Sequence, residues 1–267
     1  MGTIIAIANQ KGGVGKTTLA LHGAAYLARH GQRVVVIDAD TQANASSWVL
    51  GYVPASSALY DLLVRERSWA DVLRRVNGAW QIGFLAGSAE TAGAMTVLET
   101  LHRPFDTVAR RLAPLAKVAD HVLIDMPPSR ASGFLELLYA ADHVLIPTQL
   151  ERHSLEGVVF MAQACHDLRE QHGRGPRLLG IVPNMLDRRT LLHSRQATRL
   201  VQSFGAAVWA PIPRAIVVAE TAGTGRVVFD SAPGSDADRA LEAFGQRLLA
   251  NSRGAPGCAP SLGGSDE

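Results

Sequence analysis

Lysine is nearly absent from this 267-residue chain: it occurs only as Lys11, Lys16 and Lys117, and every other basic side chain is arginine. Cysteine is scarcer still. Cys165 and Cys258 stand alone, which excludes a disulfide framework or a cysteine metal cage, and Cys165, in a helical pattern, reads as a small core residue. No apolar run approaches the roughly 18–20 residues of a membrane span. Residues 1–9 carry no basic stretch and lead straight into a glycine-rich loop, so they do not read as a signal peptide, and the expected compartment is the cytoplasm. What is present suits a globular α/β protein: 47% of residues are apolar and 19% charged, and the net charge of +2 permits nucleic-acid binding without arguing for it.

Short Val/Ile/Leu-rich runs recur at 4–8, 34–37, 82–85, 122–124, 144–146 and 178–182. They lack polar alternation, as strands of a parallel sheet buried on both faces do. Helix-period stretches at 16–29, 57–75, 91–115, 131–141, 154–172 and 191–204 separate them. That alternation predicts a doubly wound α/β fold, a mostly parallel sheet with helices on both faces. A strand near 207–210 and a helix near 236–250 complete one domain over residues 1–250. Residues 251–267, rich in Gly, Pro, Ser and Ala, read as a disordered tail. They contain no Lys/Arg-rich amphipathic helix of the kind that lies on membranes.

Two of the three lysines lie five residues apart in the loop Asn-Gln-Lys-Gly-Gly-Val-Gly-Lys-Thr-Thr, residues 9–18, between the first strand and the first helix. A strand, a glycine-rich turn and a helix N-terminus together cradle phosphate, because backbone N–H groups turn inward and the helix dipole favours an anion. The N–H groups of Gly12, Gly13, Val14, Gly15, Lys16, Thr17 and Thr18 are the expected nucleotide contacts. Lys16 is placed to bridge the outer phosphates of ATP, and the Thr17 hydroxyl to ligate Mg²⁺. A compact ammonium is the charge that such cradles use, which accounts for lysine here in an arginine-rich chain.

The first glycine of the usual phosphate-loop pattern is replaced by Gln10. Residues 11–17, Lys-Gly-Gly-Val-Gly-Lys-Thr, instead resemble the deviant Walker A motif of the ParA/MinD family of ATPases. Val-Ile-Asp-Ala-Asp-Thr-Gln-Ala-Asn-Ala-Ser at 36–46 and Val-Leu-Ile-Asp-Met-Pro-Pro-Ser at 122–129 resemble that family's second motif and Walker B segment. Segments 140–148 and 180–187 follow in the family's order, so the resemblance spans residues 3–220 and lies nearest the Soj-like ParA partition ATPases. It implies a P-loop NTPase fold of the deviant Walker A type and Mg²⁺-dependent ATP hydrolysis. It also implies an ATP-state homodimer in which Lys11 reaches across to the partner's phosphates. Asp40 matches the family's water-positioning carboxylate, with Asp38 the structural or outer-shell alternative. Asp125 matches the carboxylate that holds Mg²⁺ through water, and Pro127 and Pro128 a γ-phosphate-sensing loop. Asn184 matches the adenine-reading asparagine, and Pro213 a segment flanking the base. Thr41 and Ala43 depart from the family's pattern, which has Pro and Gly there.

ParA-like members bind DNA without sequence preference, whereas MinD-like members bind membrane through a C-terminal amphipathic helix. The tail here excludes that helix, and arginines cluster at Arg188, Arg189, Arg195, Arg199, Arg214 and Arg226. Of these, Arg189 and Arg214 match the family's DNA-contacting segments, although Val217 stands where a further basic residue is common. The resemblance therefore implies a nucleoid-associated partition ATPase stimulated by a ParB-like centromere-binding partner. A related ATPase that positions a protein cargo, or a MinD-like division-site regulator, is the alternative. A reductase resembling the nitrogenase iron protein needs interface cysteines that Cys165 and Cys258 do not supply.

Overall fold

The computed structural model describes residues 1–78, 80–128, 133–187 and 189–252. The apolar runs of the sequence are largely realised in one seven-stranded sheet: β1 (Thr3–Ile7), β2 (Val34–Asp38), β3 (Arg74–Val76), β4 (Ile82–Leu85), β5 (His121–Asp125), β6 (His143–Gln149) and β7 (Arg177–Asn184). The order across the sheet is β3-β4-β2-β5-β1-β6-β7. Every neighbouring pair is parallel except β3–β4.

Successive side chains on a strand point to opposite faces, and both faces here are apolar. Ile4, Ala6, Val35, Ile37, Val122 and Ile124 enter one core layer, under helices Ala58–Leu63, Thr107–Leu112, Phe134–Tyr139 and Ser154–His172. Ile5, Ile7, Val34, Val36 and Leu123 enter the other, under helices Lys16–Arg29 and Asp236–Asn251. The carboxyl ends of β1, β2, β5, β6 and β7 consequently share one edge, where open parallel sheets place their ligands.

The sequence reading needs correction in three places. The expected helix at 57–75 is two short helices, Ala58–Leu63 and Trp69–Val72, followed by β3. Glu66 turns through left-handed backbone (φ 53°), and the Ser68 hydroxyl then caps the second helix by accepting from Asp71 N–H at 3.3 Å. The stretch at 91–115 divides into Glu90–Thr100 and Thr107–Leu112, with Pro104 between them, a residue that cannot continue a helix. Residues 207–210 form no strand. After the 3₁₀ turn Gly205–Ala207 the chain meets β7 through an isolated Ile181–Val208 bridge, the Trp209 N–H to Ile181 O bond of 2.8 Å and the Ile212 N–H to Pro183 O bond of 2.9 Å, without forming a ladder. Pro211 and Pro213 lack the N–H groups that a ladder would need. The tail expected at 251–267 lies outside the described residues beyond Ser252.

Candidate nucleotide site

After β1 the loop passes through left-handed backbone twice, at Gly13 (φ 73°) and Gly15 (φ 94°). A Cβ on Gly15 would stand 2.1 Å from Asn184 Nδ2, so neither backbone nor space admits a side chain there. Among the described residues, no hydrogen bond within the chain takes up the N–H groups of residues 12–18. They form an array of donors at the N-terminus of helix Lys16–Arg29, suited to an anion. A cavity of about 560 Å³ opens on them, lined also by Asp40, Trp48, Pro128, Met185 and Gly223. Lys16 is 7% exposed and its Nζ donates to Lys11 O at 3.3 Å. Burial pulls its pKa below the usual lysine range, while Asp125 and Asp40 act in the opposite sense.

Three carboxylates gather beside the cavity. The Thr17 hydroxyl donates to Asp125 Oδ2 at 2.7 Å, while Asp125 Oδ1 is buried with no partner among the described residues. Burial, and then the charge of Asp38, raise the Asp125 pKa well above the usual carboxylate range. Asp38 is likewise pushed up to about 6 by burial, against hydrogen bonds from Ser46 that favour its charged form. An unpartnered carboxylate oxygen beside a hydroxyl is an oxygen donor set that fits a hard divalent cation such as Mg²⁺. Thr17 and Asp125 are the residues that would hold it, directly or through water.

Ser46 anchors the segment after β2. Its hydroxyl donates to Asp38 Oδ2 at 2.6 Å and accepts from Gly87 N–H at 2.8 Å, and its N–H donates to the same Asp38 oxygen at 2.7 Å. Replacing Ser46 with alanine strands the Gly87 N–H and removes a charge-assisted bond, so unfolding in urea at pH 8 should show a loss of about 2–4 kcal/mol. A loss below about 0.5 kcal/mol would mean that the hydroxyl is dispensable. Between Asp38 and Ser46, Asp40 is 9% exposed and its Oδ1 accepts from Gln42 N–H at 3.0 Å. Ala43 then adopts φ 49°, a left-handed conformation that explains the family's preference for glycine at this position.

The loop is braced from behind by strand ends. Asn9 Nδ2 donates to Pro147 O at 2.6 Å, and Asn9 Oδ1 accepts from Lys11 N–H at 3.0 Å. Gln149 Nε2 donates to Gly13 O at 2.9 Å, and Asn184 Nδ2 to Val14 O at 2.8 Å. Asn184 is buried, and its Oδ1 accepts from the N–H of Met185, which itself reaches the cavity. Lys11 turns out of the cradle and pairs with Glu151, both side chains about half exposed.

Pro213 pairs through its backbone with Leu186 and does not line the cavity. Arg189 is exposed, with its guanidinium on Asp187, and Arg214 is exposed two residues after the buried Ile212. Arg188 lies outside the described residues. Sequence reasoning did not single out Ser46, Trp48, Gln149, Met185 or Gly223. Ser46 closes the second motif, but nothing local marks the other four, whose place depends on strand register and on the return of distant segments.

A family model described as "AAA domain" matches residues 2–175. The chain is 37% identical over 251 residues to the chromosome-partitioning ATPase Soj of Thermus thermophilus, covering 92% of this chain and 95% of that protein. It is 33% identical over 229 residues to the chromosome partitioning protein ParA of Caulobacter vibrioides, covering 84% and 85%. Among solved structures, cobyrinic acid a,c-diamide synthase from Mycobacterium smegmatis, with a bound ATP analogue and magnesium, superposes with a TM-score of 0.77. That match has 28% identity and covers 93% of this chain and 95% of the other.

Proposed function

This chain belongs to the ParA/MinD family of ATPases, which act with ATP and Mg²⁺, and we propose that it is a DNA-partition switch within that family. Residues 1–250 act as one ATPase domain. Two ATP-loaded copies close into a homodimer, the dimer holds DNA without sequence preference, and a ParB-like centromere-binding partner triggers hydrolysis and release on the nucleoid. The observation that carries this reading is the divergence of two lysines in one loop. Lys16 is buried against its own cradle, whereas Lys11 lies half-exposed outside it, available to a second copy.

In this reading the N–H groups of residues 12–18 and the Lys16 ammonium bind and orient the phosphates. Thr17 and Asp125 hold Mg²⁺, which when bound offsets the charge of the outer phosphates. Asp40, beside the cavity, orients the attacking water, and Pro127 and Pro128 follow the γ-phosphate. Asn184, whose amide also ties down the loop, reads the adenine edge, and Pro213 belongs to the segment that flanks the base. Arg189 and Arg214 meet DNA phosphates, so binding falls steeply with salt.

The test is a gel shift on non-specific duplex, with and without ATP, across a salt series, run on the wild-type protein and on Asp40→Ala. The variant should retain ATP-dependent binding while phosphate release drops by at least about a hundredfold. No ATP-dependent shift even at low salt would remove the DNA reading, and wild-type turnover by the variant would remove Asp40 from its role.

A further inference from the structure

β6 and β7 end side by side, and Gln149 stands opposite Asn184 in their parallel register. The two amides therefore approach the back of the phosphate loop as neighbours. Each takes one of two consecutive loop carbonyls, Gln149 that of Gly13 and Asn184 that of Val14, at 2.9 and 2.8 Å. The orientation of the Gln149 amide is fixed by its surroundings. Its nitrogen faces Gly13 O and, at 3.0 Å, Met185 Sδ, both of which only accept.

A carbonyl and the N–H of the next residue belong to one rigid peptide plane and point in opposite directions. Holding Gly13 O from behind thus aims the Val14 N–H forward, and holding Val14 O aims the Gly15 N–H. A flip of either plane would put an oxygen where an anion needs a donor, and glycine on one side of each plane makes such a flip easy. The loop's two left-handed glycines, Gly13 and Gly15, are the residues next to the clamped planes.

We propose that Gln149 is a positioning residue for nucleotide binding, acting through the Gly13–Val14 peptide as one half of a two-amide clamp whose other half is Asn184. The proposal rests on reading residues 11–18 as the ATP phosphate loop. The clamp holds the loop in the same way whatever the terminal phosphate, so it serves ATP and ADP alike. It also ties the loop to the strand end that carries Glu151, the partner of Lys11. Both lysine-bearing halves of the loop are thereby referred to β6.

The test is calorimetric titration of ATP and of ADP, each with Mg²⁺, into full-length wild type, Gln149→Met, Gln149→Glu and Lys16→Ala, alongside melting of each without nucleotide. Methionine keeps the length and removes the donor. Gln149→Met should weaken both nucleotides by about tenfold, the factor a single hydrogen bond is worth, and leave the nucleotide-free melting temperature nearly in place. Gln149→Glu should weaken both further, since it turns a carboxylate onto Gly13 O beside the phosphates. Binding of both nucleotides by both Gln149 variants within about twofold of wild type would overturn the proposal. A loss confined to ATP would overturn it too, because it would mean contact with the terminal phosphate and not with the loop. Failure of wild type to bind, or undiminished binding by Lys16→Ala, would instead remove the phosphate-loop reading itself.

Discussion

Lys16→Ala is expected to lower ATP affinity by at least about a hundredfold, roughly the combined effect of two charge-assisted contacts to phosphate oxygens. The size of the effect follows from what else faces the cavity. Lys11 is turned onto Glu151, so among the described residues Lys16 is the cation that lines the cavity, and its charged neighbours Asp40 and Asp125 are acidic. Without the ammonium, those carboxylates would face the phosphates uncompensated. Burial lowers the pKa of Lys16 against the opposing pull of Asp125 and Asp40, so the ammonium, poorly solvated in place, gains when phosphates arrive. Isothermal titration against wild type measures the change, and a loss smaller than about tenfold would remove Lys16 from the phosphate contacts.

Asp125→Asn should act in two directions at once. With Mg²⁺ and ATP, hydrolysis should fall by at least about a hundredfold, because a neutral amide is a poor holder of a divalent cation. Without Mg²⁺ and nucleotide, the variant should be more stable than wild type at pH 8. The sign follows from the raised pKa values of the buried pair: Asp125 lies well above the ordinary carboxylate range and Asp38 at about 6. Between the unfolded carboxylate value, about 4, and those folded values, the folded chain binds more protons than the unfolded one. Its stability therefore falls as pH rises through that window, and the cost is fully present above it. Asparagine removes the larger part of that cost and keeps an oxygen for the Thr17 hydroxyl. Asp120 works in the opposite sense, since Arg33 holds it down to about 2, and its contribution is lost only below the window. Urea unfolding at pH 5 and pH 8 checks the prediction, and a variant less stable than wild type at pH 8 would refute it.

Much of this site can be read from sequence because its chemistry is local. The glycines that need left-handed backbone, the lysine at the helix start and the aspartates at the ends of β2 and β5 all follow buried strands whose apolar runs are plain. The same runs reveal the parallel sheet. The edge strand β3 is hidden because Arg74 and Arg75 carry no strand pattern, and its conformation comes from pairing with β4. Helix Asn44–Leu50 is hidden because it begins after a left-handed alanine without a side-chain cap. Gln149 is hidden because its partner is a carbonyl 136 residues earlier, a distance that only the neighbouring position of β1 and β6 closes.

Trp48 gives this architecture an optical consequence. Its ring lines the nucleotide cavity, stands edge-on to His22 at 5.7 Å and donates its indole N–H to Arg226 O at 2.8 Å. The other three tryptophans sit elsewhere: Trp69 at the groove beside β4, Trp80 near Arg29 and Trp209 over Gly180. Indole emission shifts with the polarity of its surroundings, and Trp48 alone among the four has nucleotide as a prospective neighbour. The chain thus carries an intrinsic fluorophore on the helix that follows Asp40, so rearrangement of that segment can be timed in solution without attaching a dye.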